Sequence, residues 1–174
     1  MKKIVVNDTN VFIDLYDVGL LEEFFSLPWE VHTTDFVMLE LQREGQNETV
    51  AKYKADKRLV VPILEAKEML EIGNMYQQLV NRTNLSLTDC SVWYYAKVNN
   101  YILLTGDRKL RTASTYDGVE VHGIIYVFDS IVDLGIISRQ VAAEKLQQLY
   151  RINPRLPKEE IDRRINLWKA NIEK

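Results

Sequence analysis

The chain has one cysteine and two histidines in 174 residues. A single thiol forms no internal disulfide, so a disulfide-stapled secreted scaffold is excluded, and a reducing cytoplasm is the expected compartment. Long apolar runs are also missing; those present fall far short of the length that spans a bilayer, and no membrane association is expected. The N-terminal Met1-Lys2-Lys3 followed by Ile4-Val5-Val6 has the start of a signal peptide, but Asn7 and Asp8 cut the apolar stretch short and no small-residue cleavage site follows. No internal repeat or low-complexity segment occurs. Positive charge is scarce as well: the net charge is −3 and the isoelectric point about 5.5. A protein that holds nucleic acid mainly through a global positive field would be more basic. Divalent cations bound in an acidic site would reverse the local sign and weaken that objection.

What is present is ordinary globular composition, 47% hydrophobic and 27% charged, in a chain long enough for one domain with a sizeable core. Ile4-Val5-Val6 is a short β-branched run followed by polar residues and then a helical pattern. It reads as a strand buried on both faces, with Asp8 at its carboxyl end. Val11 to Phe25 reads as two short helices broken at Gly19. Trp29 to Thr33 is a second strand, and Thr33 and Thr34 offer N-caps to a helix in which Phe36, Val37, Glu40, Leu41 and Glu44 share one face. Gln42 to Asp56 continues as polar helix or loop, and Leu59-Val60-Val61 is a third strand. Leu64 to Val80 has helical spacing, with Gly73 costing about 1 kcal/mol against Ala. Asn81 to Asn84 reads as a loop.

Ser86-Leu87-Thr88-Asp89 has capping-box spacing, with Asp in the place of Glu or Gln. Val92, Trp93 and Ala96 lie on the same face as Asp89, so that helix packs inward. Cys90 beside it reads as a packing residue, since no histidine is placed to activate it. Tyr101 to Leu104 is a strand, closed by Thr105-Gly106-Asp107 before a helix from Arg108 to Tyr116. Asp117-Gly118 turns into an edge strand, Val119 to Val121. A helix over 123–134 closes at Gly135. Another starts after Ser138 and runs to Tyr150, 151–156 is a linker, and Pro157 opens a last helix.

Strands alternating with helices imply a parallel sheet of four to five strands with helices on both sides. In such a sheet the carboxyl edge is where ligands bind. Asp8 and Asp107 both leave strands at that edge, Glu40 follows a strand by one or two helical turns, and Asp89 opens a helix leading into a strand. Taken singly, each has a structural explanation: Asp89 and Asp107 as helix caps, Glu40 as a solvated edge residue. Taken together, four carboxylates on one rim repel one another unless protonated or bound to cations. An oxygen-only ligand set points to Mg²⁺ or Mn²⁺ rather than zinc, and such a site suits phosphoryl chemistry.

These pieces resemble PIN-domain nucleases, most closely the toxin type of bacterial toxin–antitoxin pairs. The matching segments are Asp8-Thr9-Asn10-Val11, Val37-Met38-Leu39-Glu40-Leu41, Leu87-Thr88-Asp89 and Leu103-Leu104-Thr105-Gly106-Asp107. They cover roughly residues 1–135, leaving 136–174 as a helical extension. The resemblance implies a PIN-like α/β fold and a metal-dependent endoribonuclease that hydrolyses RNA. It makes Asp8, Glu40, Asp89 and Asp107 the metal ligands, and Asn10 and Thr105 the residues that orient them. It further implies an antitoxin protein and a homodimer as partners.

Relatives often carry another acidic residue after the last aspartate; here Arg108-Lys109-Leu110-Arg111 follows. Arg108, Lys109 and Arg111 serve equally well as RNA phosphate contacts or as a solvated helix face. Two rival enzymes fit less well. A haloacid-dehalogenase-like, Mg²⁺-dependent phosphatase wants an aspartate where Asn10 stands, and a receiver domain wants a lysine where Asp107 ends its strand. The non-enzymatic alternative is a PIN-like module that binds RNA or protein without cutting.

Overall fold

The computed structural model describes residues 2–41 and 45–170. Five strands form one sheet in the order β3-β2-β1-β4-β5. They are β1 (Lys3–Asn7), β2 (Trp29–His32), β3 (Leu59–Val60), β4 (Ile102–Leu104) and β5 (Val121–His122). All four pairings are parallel, with Val5 opposite both Val31 and Ile102. The chain winds from β1 outward through β2 to β3, then returns to the other side of β1 for β4 and β5. The direction of winding reverses between β1 and β4, and a crevice opens outside the carboxyl ends at such a reversal. Asp8 and Asp107 leave the two strands that flank it.

Ten helices cover the sheet among the described residues: α1 (Thr9–Asp17), α2 (Leu21–Phe25), α3 (Asp35–Glu40), α4 (Gln46–Ala55), α5 (Ala66–Thr83), α6 (Leu87–Asn99), α7 (Arg108–Tyr116), α8 (Ile124–Asp133), α9 (Arg139–Ile152) and α10 (Lys158–Ala170). Val5, Val6, Leu103 and Leu104 are fully buried, as expected of parallel strands covered on both faces. Phe12 and Leu15 of α1, Val92 and Ala96 of α6, and Phe128 and Ile131 of α8 complete the core around them.

The C-terminal helices join the same core. Trp168 of α10 stacks on Phe128 of α8 with ring centroids 6.4 Å apart, and Arg164 pairs with Asp129 at 3.0 Å. Lys145 of α9 donates to the Val18 carbonyl at 2.6 Å, and Asn153 donates to the buried Asp14 of α1 at 3.1 Å.

Several boundaries differ from the sequence reading, each for a local reason. The polar 42–56 stretch contains the separate helix α4, which starts after Gly45 at φ 84°. A side chain at Gly45 would also run into the Tyr16 hydroxyl. Glu44, expected on the Glu40 face, lies outside the described residues. Helix α5 runs through the expected loop to Thr83, because Asn84 takes the left-handed C-cap at φ 56°. Strand β5 starts two residues late: the Val119 amide bonds the Ser114 carbonyl at 3.0 Å, so Val119 closes α7 before the strand begins. Helix α9 likewise continues to Ile152, where the Asn153 amide reaches the Leu149 carbonyl.

Candidate active site at the carboxyl edge

Asp8 ends β1 and caps α1, and only 2% of its surface is exposed. One carboxylate oxygen accepts from the Thr9 amide at 2.7 Å. The other accepts from the Thr105 hydroxyl at 2.7 Å and, more weakly, from the Asn10 amide group at 3.4 Å. Burial nonetheless pushes its carboxyl up from 3.8 to about 7, with Asp89 and Glu40 adding repulsion. Thr105 is fully buried and follows β4, so its place beside Asp8 comes directly from the β1–β4 pairing.

Glu40 ends α3 and is exposed. It accepts a hydrogen bond from the Thr9 hydroxyl at 2.8 Å, which holds it against the start of α1. Asp89 sits in the first turn of α6 and completes a capping box: Asp89 accepts from the Ser86 amide at 2.7 Å, and Ser86 accepts from the Asp89 amide at 3.0 Å. Burial raises the Asp89 carboxyl, and Asp107 and Glu40 push it further in the same direction. Asp107 caps α7 through a 2.7 Å bond from the Leu110 amide. The two capping roles foreseen for Asp89 and Asp107 are thus real, and coexist with mutual repulsion across the rim.

The chemistry of this donor set fits Mg²⁺ or Mn²⁺. The charges of Asp89 and Glu40 add to the raising of Asp8, and those of Asp107 and Glu40 to the raising of Asp89, and a divalent cation is the partner that relieves such repulsion. The spacing is looser than a formed ligand shell: among the described residues no group of three or more His, Cys, Asp or Glu side chains is set around a common point. Asp89 and Asp107 each spend one oxygen on their own helix. Cys90, buried next to Asp89, has its thiol pushed up to about 11 by burial, which suits packing and not nucleophilic attack.

The basic run after Asp107 divides. Arg111 lines a pocket beside Gly106 and Lys109 a separate hollow next to Arg82 and Thr83, while Arg108 borders both. Three contributors escaped the sequence reading. Thr9 lies inside the Asp8-Thr9-Asn10 segment, but its partner is thirty-one residues away. Asn7 is fully buried next to Asp8, with both side-chain polar atoms lacking partners among the described residues. Arg155 reaches the same pocket as Arg108 from the α9–α10 connection, and nothing local in the sequence signals that approach.

Solved structures are similar to the chain at low identity. PAE2754 from Pyrobaculum aerophilum is 16% identical, with a TM-score of 0.51 over 79% of this chain and 100% of that one. VapBC2 from Rickettsia felis, solved bound to a DNA fragment from their promoter, is 16% identical over 69% of this chain and 98% of that one, with a TM-score of 0.47. FitAcB from Neisseria gonorrhoeae is 15% identical over 70% and 99%, with a TM-score of 0.39. No curated protein matches the chain in sequence. The family DUF3368, described as a PIN domain, matches residues 4–170, which takes in the sheet from the second residue of β1 onward and every carboxylate of the rim. The chain therefore belongs to the PIN-domain family.

Proposed function

We propose that this PIN domain is a metal-dependent endoribonuclease, acting as the toxin of a toxin–antitoxin pair in the cytoplasm. PIN domains are generally nucleases. The observation that carries the reading is Asp8: a buried carboxylate at a sheet reversal, raised to about 7 and repelled by Asp89 and Glu40. Keeping such a group in a fold is costly unless a cation offsets it. Asp8, Glu40, Asp89 and Asp107 would hold Mg²⁺ or Mn²⁺, which when bound polarises a phosphate and lowers the pKa of water. The chain's own part is positioning. Thr105 and Asn10 aim Asp8, Thr9 anchors Glu40, and the caps of α6 and α7 hold Asp89 and Asp107 at fixed ends of rigid helices.

The toxin role, the antitoxin partner and a homodimeric state rest on the resemblance of the motifs. Expression that arrests growth, with relief by the product of the adjacent reading frame, supports the toxin role; unchanged growth counts against it. The second reading is a module that binds RNA without cutting, and the loose spacing of the carboxylates favours it. Purified protein incubated with RNA and Mg²⁺, Mn²⁺ or a chelator separates the two. Cleavage that the chelator stops supports the nuclease, whereas a gel shift without product supports the binding module.

A further inference from the structure

A pocket of about 510 Å³ adjoins the carboxylate rim, where the turn after β4, the starts of α7 and α8, and the α9–α10 connection meet. Arg108 and Arg111 line it from α7 and Arg155 from the C-terminal connection, against one acidic residue, Glu160. Three arginines at one place stand out in a chain of net charge −3. Arg108 makes no ion pair among the described residues, while the charge of Arg155 also acts on Asp14.

The remaining wall is equally suited to an anion. Helix α8 begins here with no side-chain cap and no acidic residue in its first turn, and Gly123, Ile124 and Ile125 all line the pocket. The first amides of a helix have no partners within it and carry the positive end of its dipole. Arg111 is held in place by donating to the Thr105 carbonyl at 3.1 Å, and it passes so close to Gly123 that a Cβ there would collide with it. The hydroxyl of the same Thr105 donates to Asp8. One buried residue therefore links the arginine pocket to the carboxylate rim, and Gly106 and Arg108 of the pocket are the chain neighbours of Asp107.

We propose that this pocket is a phosphate subsite for the RNA strand, holding a backbone phosphate adjacent to the one cut. This rests on the nuclease reading and adds a role for the C-terminal helices, whose connection supplies Arg155. Because Gly106 and Arg108 flank Asp107 in the chain, the pocket lies next to the rim on the side where a strand leaving the carboxylates past this turn would present its next phosphate. The planar guanidinium forks and helix amides match phosphate oxygens in geometry as well as charge.

The test is fluorescence anisotropy of a labelled single-stranded RNA over a series of salt concentrations. The full chain carries Asp8→Asn so that the strand stays intact, and unsubstituted protein is assayed for cleavage in parallel. Arg108→Ala and Arg155→Ala, both at exposed positions, are each expected to weaken binding by about tenfold, the size of one charge-assisted hydrogen bond. Each should also flatten the slope of log K against log salt by about 0.7, the value for one lost phosphate contact on a single strand. Arg155→Lys should restore the slope, which a merely structural arginine would not require. An unchanged slope in both alanine variants, with RNA still cut by the unsubstituted chain, overturns the subsite and leaves the nuclease reading standing. Absence of both binding and cleavage overturns the two together. Loss of binding to a polyglutamate peptide with the RNA slope intact assigns the pocket to an acidic protein segment and also overturns the proposal.

Discussion

The hydroxyl of Thr105 donates to Asp8 at 2.7 Å and accepts from the amide of Asp107 at 3.0 Å. A single buried oxygen thereby ties the end of β1 to the turn after β4, and both acidic residues depend on it. Thr105→Val keeps the shape and removes both bonds. It should cost about 1–3 kcal/mol in urea unfolding, the penalty for buried groups left unpaired, and lower RNA cleavage further than Thr105→Ser. Equal stability and activity in the valine variant would show that the hydroxyl positions nothing.

Asp8 makes the metal-free protein sensitive to pH. Its carboxyl is raised from 3.8 to about 7, chiefly by burial, so the folded state holds a proton that the unfolded state has lost over that interval. Its stabilising contribution is complete below about 3.8 and disappears as pH rises to about 7, a change on the order of 4 kcal/mol. Without metal, Asp8→Asn should flatten this part of the stability profile and gain on the unsubstituted chain as pH rises. Adding Mn²⁺ at pH 8 should raise the melting temperature of the unsubstituted chain more than that of Asp8→Asn. Parallel pH profiles for the two proteins would contradict this.

Asn153 supplies the hydrogen bond that eases Asp14, whose burial raises it to about 6. Asn153→Ala removes that donor and pushes Asp14 higher, so the ionised form suffers most. Chemical denaturation should show a loss of about 1–3 kcal/mol at pH 8 and a smaller one at pH 4, because folded Asp14 is then largely protonated and the lost bond no longer serves a buried charge.

Trp168 tests whether α10 is integral to the domain. Its ring is buried against Phe128, and Trp168→Ala should cost about 3–5 kcal/mol. A single unfolding transition at lower denaturant is expected. A second, separate transition with the first unmoved would mean that the C-terminal helices fold apart from the sheet.

Local signals carried most of the fold. Ile4-Val5-Val6 and Ile102-Leu103-Leu104 read as buried strands because each has a β-branched or aliphatic run with turn chemistry at its end, and Ser86 and Asp89 announced their capping box by spacing alone. The sequence also placed Asp8 and Asp107 at strand ends. It was silent where partners are distant. That Thr9 would hold Glu40, or that Arg155 would return from the far end of the chain to Arg108, depends on packing between helices that no local pattern encodes. Boundary errors came from caps: Asn84 prolongs α5, and Val119 is taken by α7 before β5 can use it. Lys109 and Arg111 show the limit of reading a charge run as one surface, since they line different hollows with Arg108 bordering both.

The most direct measurement of the central claim is single-turnover cleavage of a labelled RNA in Mn²⁺ or Mg²⁺ by the unsubstituted chain and by Asp8→Asn, Glu40→Gln, Asp89→Asn and Asp107→Asn. The account predicts metal-dependent cleavage that falls by about 10²-fold or more in each variant, the scale expected when charge stabilisation at a reacting phosphate is lost, with folded proteins throughout. Cleavage by Asp8→Asn at the rate of the unsubstituted chain would contradict it.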